Sequence, residues 1–248
     1  MLNTLSEWPY PRWIAHRGAG KLAPENTLAA FRLGAQHGYQ MFECDAKLSR
    51  DGVVFLMHDA TLNRTTNGQG IGGDLTWHDL AQLDAGSWHS RAYAGEPLLS
   101  LANLARFCQR NRYFLNIEIK PTPGTDQVTG QVVAEHAAAL WAHADNLPLL
   151  TSFKPEALAG AKTTAPHLPR GLLLDTLWEG WLTTARQLEC RAIVCHYALW
   201  DASLVNQVHA AGMRCLSYTV NDEWATEWLI ALGTDGIITD RVDVFSPV

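Results

Sequence analysis

The chain has 248 residues, of which 47% are hydrophobic and 18% charged, a composition that supplies a large core and excludes a disordered protein. Acidic residues outnumber basic ones, 25 to 19, and the net charge of -6 argues against a nucleic-acid-binding protein. No run of residues is long and apolar enough to predict a membrane-spanning helix. One large domain with no stable membrane association is therefore expected.

Cysteine usage and the first residues bear on the compartment. The five cysteines include no Cys-x-x-Cys pair, in a chain large enough to need no disulfide staples. Residues 1–11 lack the basic start and apolar stretch of a signal peptide. These features predict a cytoplasmic protein.

Nine short apolar runs alternate with longer stretches of helical periodicity, the pattern of βα units on a parallel sheet. In chain order, the predicted strands are Arg12–His16, Met41–Asp45, Val53–His58, Tyr113–Lys120, Leu147–Ser152, Arg170–Leu174, Arg191–Cys195, Met213–Val220 and Gly236–Thr239. The third run follows a short turn containing the hairpin signal Asp51-Gly52, so it is expected to fold back and bring His58 close to Asp45. The other eight predict a (β/α)8 TIM-type barrel, a single domain over 1–248 with an inserted segment over 59–98.

Helix signals fall between these strands. Pro24 at a first-turn position and Gly38 at the end bound the first predicted helix. The Ala-rich stretch Gln131–Ala144 predicts another helix. Near the end of the chain, Trp224 and Trp228 are expected on the apolar face of a helix, and most of the ten tryptophans are expected to pack in the core rather than bind a ligand.

Charged side chains cluster where the predicted strands end, the edge of a barrel at which active sites form. Glu43 and Asp45 share one face of their strand, as do Glu118 and Lys120. With Arg17 nearby, these three carboxylates favour an all-oxygen site for one divalent cation, Mg²⁺ or Ca²⁺, that receives a phosphate. The alternative is a set of ion pairs that only stabilises the rim of the barrel.

Two histidines end strands at the same edge. His16 and His58 supply the general acid and base that phosphodiester cleavage needs. The remaining histidines are read mostly as structural, with His196 the one most favoured to line the site. The glycine-rich stretch 67–73 is read as a flexible connector, because no strand–loop–helix context marks it as a phosphate cradle.

An ordered set of short motifs runs along nearly the whole chain. In order, they are His16-Arg17-Gly18, Pro24-Glu25-Asn26-Thr27, Glu43-x-Asp45, His58-Asp59, Arg64-Thr65-Thr66-Asn67-Gly68, Glu118-Ile119-Lys120, Ser152-Phe153, Tyr218-Thr219-Val220-Asn221 and Gly236-Ile237-Ile238-Thr239-Asp240. This set resembles the glycerophosphodiester phosphodiesterase family, and within it the bacterial cytoplasmic members. The resemblance implies a TIM-type barrel that cleaves a small-molecule glycerophosphodiester to sn-glycerol 3-phosphate and an alcohol.

The resemblance also implies roles for individual residues. It assigns the metal to Glu43, Asp45 and Glu118, catalysis to His16 and His58, and phosphate binding to Arg17 and Lys120. His16 is favoured as the base and His58 as the acid, although the sequence leaves that order and a cyclic intermediate open.

Three further residues are expected to meet the substrate. Phe153 and Tyr218 would wall the glycerol, and Asn221 would either bind a hydroxyl or cap the following helix. Two alternative functions remain. One is a lipid-acting relative with an apolar rim from Trp77 and Trp88, and the other is a non-catalytic barrel that binds phosphorylated polyols.

Overall fold

A computed structural model describes residues 8–245 and 247, which form a closed barrel of parallel strands with helices between them. The strands are β1 (Trp13–Ala15), β2 (Met41–Leu48), β3 (Val54–Leu56), β4 (Phe114–Ile119), β5 (Leu149–Ser152), β6 (Arg170–Leu174), β7 (Ala192–His196), β8 (Arg214–Tyr218) and β9 (Gly236–Thr239). The helices are α1 (Leu28–Gln36), α2 (Trp77–Leu80), α3 (Leu101–Asn111), α4 (Asp126–Leu140), α5 (Pro155–Thr164), α6 (Trp181–Gln187), α7 (Ala202–Ala210) and α8 (Glu223–Leu232).

The sheet closes through pairing of β1 with both β2 and β9. Its order is β1-β9-β8-β7-β6-β5-β4-β2, and all eight of these strands run parallel to their neighbours. The predicted (β/α)8 TIM-type barrel is confirmed. Because the strands are parallel, all of their carboxyl ends meet at one rim, which we call the mouth.

The ninth strand, β3, is the predicted hairpin arm. It pairs antiparallel with the part of β2 that extends beyond the barrel, with Leu56 opposite Ala46. Gly52 adopts the left-handed conformation, at φ 81°, that this turn requires. The Met57 amide donates to the carbonyl of Asp45 at 2.9 Å, so His58 reaches the mouth beside Asp45, as predicted.

Apolar side chains fill the barrel below the mouth. Ile14, Met41, Leu173 and Leu216 belong to one buried cluster from the strands, and Tyr10 packs beneath it with its hydroxyl donating to the carbonyl of Leu147 at 3.0 Å. Larger clusters lie between the strands and the helices. The polar interior of the barrel is therefore concentrated at its mouth.

Residues 59–98 lie between β3 and α3 and contain α2 and short 3₁₀ turns. This segment and the hairpin arm together form one buried apolar cluster, which consists of Phe55, Met57, Leu62, Leu80, Ala85 and Leu98. Trp77 packs against this cluster, and the indole of Trp88 donates to the carbonyl of Ala85 at 2.8 Å. Trp88 is nevertheless 39% exposed, so only Trp77 is withdrawn from the apolar rim that the lipid-acting alternative required.

Two helix boundaries differ from the predictions. Helix α1 begins after Thr27, whose hydroxyl caps the helix and donates to the carbonyl of Pro24, so Pro24 belongs to the preceding loop. Helix α4 covers Asp126–Leu140 instead of Gln131–Ala144. It runs through Gly130, where an added Cβ would lie 1.9 Å from the carbonyl oxygen of Ala157 on α5.

Helix α8 buries a different face from the predicted one. Trp224 is 64% exposed and Trp228 50% exposed, whereas Ala225 and Leu229 are buried. The expectation that these two tryptophans pack in the core is wrong. No helix in the described part of the chain is long and apolar enough to cross a membrane.

Candidate active site

Three carboxylates converge at the mouth from two adjacent strands. Glu43 and Asp45 come from β2 and Glu118 from β4, and one oxygen of each lies within 4.8 Å of the others. Glu43 and Asp45 are buried, and their atoms Oε1 and Oδ1, respectively, accept no hydrogen bond from any residue that the structure describes. Buried carboxylate oxygens without a donor are costly, and three carboxylates together suit a hard divalent cation. This group, which we call the acidic cluster, can hold a divalent metal ion.

Two cations border the acidic cluster. The Nζ atom of Lys120 lies 2.9 Å from Glu118 Oε1 and 3.4 Å from Asp45 Oδ1. The Nε atom of Arg17 lies 3.2 Å from Asp45 Oδ2, and its backbone amide donates to Glu43 Oε2 at 3.0 Å. Two cations cannot balance three ionised acids, so full ionisation of the cluster would leave an excess of negative charge.

The charges shift the pKa values of the acids in opposite directions. Burial, reinforced by the nearby Asp45, raises the pKa of Glu43 to about 8. Burial also opposes ionisation of Asp45, but Arg17 and Lys120 hold its pKa well below the usual range. Without a bound cation, the cluster therefore retains a proton on Glu43 at neutral pH.

Asp45 is fixed by a residue for which the sequence suggested no role. The side chain of Asn26 donates to Asp45 Oδ2 at 2.8 Å and accepts from the Asp45 backbone amide at 3.1 Å. Asn26 is buried and left-handed, at φ 60°, a conformation that asparagine tolerates better than most residues. Its place in the motif Pro24-Glu25-Asn26-Thr27 was the available signal.

His16 follows β1 and is held through its Nδ1 atom, which lies 2.7 Å from Asp240 Oδ1. Its Nε2 atom faces Glu43 Oε2 at 3.8 Å. Burial favours the neutral ring, but the hydrogen bond with Asp240 and the charge of Glu43 raise the pKa of His16 above its ordinary value.

Asn221 supports this histidine indirectly. Its amide donates to Asp240 Oδ2 at 3.0 Å, and its Oδ1 accepts from the Asp240 backbone amide at 2.9 Å. The residue at the N-cap of α8 is Asp222, so the helix-capping alternative for Asn221 is wrong. Asp240, which ends a motif noted in the sequence, was missed as a partner of His16 because the two are far apart in the chain.

His58 is held in the same manner from the other side of the mouth. Its Nδ1 atom lies 2.8 Å from Asp59 Oδ1. The guanidinium of Arg64 binds both oxygens of Asp59 and both oxygens of Glu25, at 2.7 to 3.0 Å. Glu25 in turn accepts from Arg17 at 2.9 Å. A continuous chain of charges thus connects His58 to Arg17.

The pKa of His58 moves opposite to that of His16. Burial lowers the pKa of His58, and Arg17 and Lys120 act in the same direction, against the attraction of Asp45. In the metal-free protein, His16 therefore keeps its proton to a higher pH than His58.

Aromatic side chains form the opposite side of the mouth. The ring of Phe153, after β5, lies 5.9 Å from Lys120 Nζ and 5.6 Å from the ring of Tyr218 at the end of β8. The hydroxyl of Tyr218 donates to the carbonyl of Leu174 at 3.0 Å, and the ring of His196 lies 6.0 Å away. The structure brings Phe153, Tyr218 and His196 together beside the charged groups.

Comparison with known proteins agrees with this geometry. Residues 16–244 match the glycerophosphoryl diester phosphodiesterase family. The chain belongs to this family. It is accordingly an enzyme, a phosphoric diester hydrolase.

Individual members of the family match over almost the whole chain. A glycerophosphodiester phosphodiesterase of Caldanaerobacter subterraneus is 33% identical, with 92% of this chain and 93% of that protein covered. A phosphodiesterase of Oleispira antarctica, solved in complex with the product sn-glycerol-3-phosphate, is 33% identical with a TM-score of 0.86 over 93% of each chain. A glycerophosphodiester phosphodiesterase of Agrobacterium tumefaciens is 28% identical with a TM-score of 0.78, over 96% of this chain and all of that one (100%).

Proposed function

We propose that this chain hydrolyses glycerophosphodiesters to sn-glycerol 3-phosphate and a free alcohol, with a divalent metal ion and two histidines acting as general acid and base. The observation that carries the proposal is the acidic cluster flanked by two histidines, each held at Nδ1 by its own carboxylate. The phosphodiesterase of Oleispira antarctica, which binds sn-glycerol-3-phosphate as its product, supports the choice of product. The whole chain, 1–248, is proposed as one catalytic domain with 59–98 as an insertion.

The residues of the acidic cluster are proposed to hold one divalent cation, Mg²⁺ or Ca²⁺. Glu43, Asp45 and Glu118 offer only oxygen atoms, which is the donor set that these two ions prefer. When bound, the cation supplies electrostatic stabilisation to a phosphate whose negative charge increases in the transition state.

Arg17 and Lys120 are proposed to bind the phosphate of the substrate. The side chain of Arg17 remains 18% exposed, so its guanidinium can meet an incoming anion, although the buried Nε atom faces Asp45 Oδ2 at 3.2 Å. Lys120 lies on the other side of Asp45 and is partly exposed to the mouth. A phosphate between them would meet donors from both sides, in a site shielded from water. Phe153 and Tyr218 are proposed to contact the glycerol group beside the phosphate.

The histidines are proposed to transfer protons through Nε2. Asp240 accepts a hydrogen bond from His16 Nδ1, and Asp59 accepts one from His58 Nδ1, which leaves the opposite ring nitrogen of each for the substrate. One ring removes a proton from the attacking hydroxyl, of the glycerol or of water, while the other gives a proton to the departing alkoxide. Asn221 is proposed to assist by orienting Asp240, rather than to bind a hydroxyl itself.

The pKa directions bear on which histidine is the acid. In the metal-free protein, the raised pKa of His16 favours it as the acid, contrary to the sequence-based preference. A dication held by Glu43 would lower the pKa of His16, because Glu43 Oε2 lies 3.8 Å from His16 Nε2. The pH–rate profiles of His16→Ala and His58→Ala, measured with metal bound, would show which histidine is the general acid and which is the general base.

Product analysis tests the proposed activity. Purified protein is incubated with glycerophosphoglycerol and with glycerophosphocholine, and sn-glycerol 3-phosphate is measured with a coupled dehydrogenase. The proposal predicts equal amounts of sn-glycerol 3-phosphate and free alcohol. Release of phosphocholine, with glycerol as the second product, would overturn it.

A cytoplasmic location is also proposed. All five cysteines are free and buried, and free thiols are typical of proteins in reducing compartments. The proposed partners are small-molecule glycerophosphodiester substrates, with no nucleic acid and no stable membrane association.

A further inference from the structure

One lysine near the mouth is not used by the proposed mechanism. Lys47 lies on β2 two residues beyond Asp45, so strand alternation places it on the same face as Glu43 and Asp45. It is only 2% exposed, and lysine is almost never buried to this extent without a partner. Lys47 forms no salt bridge with any residue that the structure describes. A buried ammonium group without a carboxylate in contact is costly, so a specific role for it is expected.

The partner of Lys47 is a backbone group next to the acidic cluster. Its Nζ atom donates to the carbonyl oxygen of Lys120 at 3.0 Å, and no backbone amide of the described residues donates to that oxygen. The Lys120 amide donates to the carbonyl of Ala46 at 2.9 Å, and the next residue, Pro121, has no amide hydrogen with which to extend this pairing. Lys47 therefore supplies a side-chain hydrogen bond at the point where backbone pairing between β4 and β2 ends.

A second buried side chain holds the preceding peptide group. The hydroxyl of Ser152, at the end of β5, donates to the carbonyl of Ile119 at 2.7 Å and accepts from the backbone amide of Lys154 at 3.1 Å. Ser152 is fully buried, and it belongs to the motif Ser152-Phe153 noted in the sequence. Because β4 lies between β2 and β5 in the sheet, Lys47 and Ser152 fix the end of β4 from both neighbouring strands.

The end of β4 carries two groups of the proposed active site. Glu118 belongs to the acidic cluster, and Lys120 Nζ lies 2.9 Å from Glu118 Oε1 and 3.4 Å from Asp45 Oδ1. The Lys120 side chain is long and 21% exposed, so the position of its ammonium group depends on where its backbone is fixed. A displacement of about 1 Å at a reacting centre is enough to lower a rate substantially. The hydrogen bonds from Lys47 and Ser152 therefore bear directly on the phosphate site.

We propose that Lys47 and Ser152 are positioning residues for the phosphodiesterase reaction, which act on the phosphate through Lys120 by fixing the peptide groups at the end of β4. Neither side chain contacts the substrate itself. If the two residues only joined neighbouring strands, their loss would change stability without changing the kinetics of the folded protein. This inference rests on the proposed function, because phosphate binding by Lys120 is part of that function.

Lys47→Met tests the inference, because methionine fills a similar volume without a charge or a donor. We expect kcat/KM for glycerophosphoglycerol to fall roughly 10- to 100-fold, the range for residues that orient the groups of a site through hydrogen bonds. The urea midpoint should change little, since replacement of a buried charge by an apolar side chain of similar size is often neutral for stability. Ser152→Ala should lower kcat/KM roughly 3- to 10-fold, the effect of one hydrogen bond, and it decides the question if Lys47→Met does not fold.

Two comparisons separate positioning from structural support. Lys162→Met is the matched control, because Lys162 also donates to a backbone carbonyl, that of Gln187 at 2.8 Å, but lies in the last turn of α5, away from the mouth. Its kinetics should not change. In a Lys120→Met background, Lys47→Met should lower kcat/KM by less than about twofold, because the side chain that Lys47 positions is absent. Unchanged kcat/KM in folded Lys47→Met or Ser152→Ala, or an equal fold-loss from Lys47→Met in both backgrounds, would overturn the inference.

Hydrogen exchange separates this inference from the proposed function, because it needs no substrate. The Lys120 amide should exchange roughly 3- to 10-fold faster in Lys47→Met than in the unaltered protein, as expected for the loss of one hydrogen bond, and at the unaltered rate in Lys162→Met. If the unaltered protein released no sn-glycerol 3-phosphate, the proposed function would be wrong, and the exchange rate would still show whether Lys47 fixes the end of β4. An unchanged exchange rate in Lys47→Met would overturn the inference.

Discussion

His16 lies beside Glu43 and His58 beside Asp45, and the Nδ1 atom of each is hydrogen-bonded to another carboxylate, at 2.7 Å and 2.8 Å. Such a hydrogen bond fixes both the orientation of the imidazole and the nitrogen that carries the proton. This leaves Nε2 of each ring as the nitrogen proposed to transfer protons. The His16–Asp240 and His58–Asp59 pairs come from different parts of the chain but have the same geometry. This shared geometry supports the proposed use of both histidines in catalysis.

The first prediction concerns these two side chains. His16→Ala and His58→Ala should each lower kcat by roughly 10²- to 10⁴-fold, the usual contribution of a general acid or base. The rate of sn-glycerol 3-phosphate release measures the effect. His143→Ala, at an exposed position beyond α4, is the control and should retain full activity. A loss below tenfold in both variants would remove the histidines from the chemistry.

The second prediction concerns Glu43 in the metal-free protein. Its pKa rises from 4.5 to about 8 on folding, mainly through burial, so the folded state binds more protons than the unfolded state between these values. The contribution of Glu43 to the free energy of unfolding is then fully present at low pH and is lost as the pH rises through this window. Denaturant unfolding of the chelated protein should show this decline.

A divalent cation should reverse the decline, because it binds the ionised carboxylates of the folded state. Added Mg²⁺ or Ca²⁺ should therefore raise the melting temperature more at pH 8 than at pH 5. Glu43→Gln is the control, since it cannot ionise, and should show a weaker dependence on both pH and metal. An identical pH dependence in the two proteins would contradict the assignment of this titration to Glu43.

At the residue scale, the sequence predicted side chains that end strands but missed the residues that support them. Glu43, Asp45 and Glu118 could be found because strand alternation places them on one face. Asp240 and Asn26 could not, because their contacts depend on which strands become neighbours and on a left-handed turn at Asn26.

Among the elements, the loop after β1 and the loop after β3 are joined by Arg64. Its guanidinium lies between Glu25 of the first loop and Asp59 of the second, with two hydrogen bonds to each. Bidentate pairs of this kind fix the relative position of the two carboxylates. Arg64 is thus a positioning residue, which acts on His58 through Asp59 and on Arg17 through Glu25.

The third prediction is that Arg64→Ala lowers kcat/KM by about 10- to 100-fold. This is the range for residues that orient the groups of a site by hydrogen-bonding to them. The pH–rate profile should also change, because Asp59 no longer holds His58 in one orientation. Arg64→Lys should recover only part of the activity, since an ammonium group cannot bind two carboxylates in the same planar geometry.

Arg106→Ala is the matched control, because Arg106 is exposed on α3 and bonds only to Ala102 and Asn103 of its own helix. Its kinetics should not change. Arg64→Ala with an unaltered rate and pH profile would show that the bridge between the two loops is only structural.

The fourth prediction concerns the contact between α4 and α5. A Cβ added at Gly130 would lie 1.9 Å from the Ala157 carbonyl oxygen, and one at Gly160 would lie 2.3 Å from that of Gln127. In an uncrowded helix, Gly→Ala stabilises by about 1 kcal/mol, whereas overpacking costs about 1–3 kcal/mol. Gly130→Ala should therefore lower the free energy of unfolding in urea, and an increase would contradict the close packing of the two helices.

The same contact explains one error at the element scale. Glycine usually lowers helix propensity, and the predicted helix begins after Gly130. In the structure, Gly130 lies inside α4, where its lack of a side chain allows α5 to pack closely. Pro24 illustrates the reverse case. Its sequence context predicts a helix start, but the turn that holds Arg17 and Asn26 at the mouth requires the residues before Thr27.

Along the barrel axis, apolar side chains pack in the lower part and stabilise the fold, whereas the charged groups of the proposed active site lie at the mouth. Strand spacing was sufficient to predict the barrel and the edge at which the polar residues meet. Spacing could not predict that Trp224 would be exposed, because a single periodic pattern does not fix which face of α8 turns towards the strands. The net charge of -6 was likewise uninformative about the mouth, where Arg17 and Lys120 lie beside the acidic cluster.

The proposed requirement is that a divalent cation occupies the acidic cluster during cleavage of a glycerophosphodiester. Its most direct test is the rate of sn-glycerol 3-phosphate release from glycerophosphoglycerol, measured in excess chelator and again after Mg²⁺ or Ca²⁺ is restored. We expect the chelator to abolish release, restored metal to recover it, and Asp45→Asn to show no recovery. Full hydrolysis in excess chelator would contradict it.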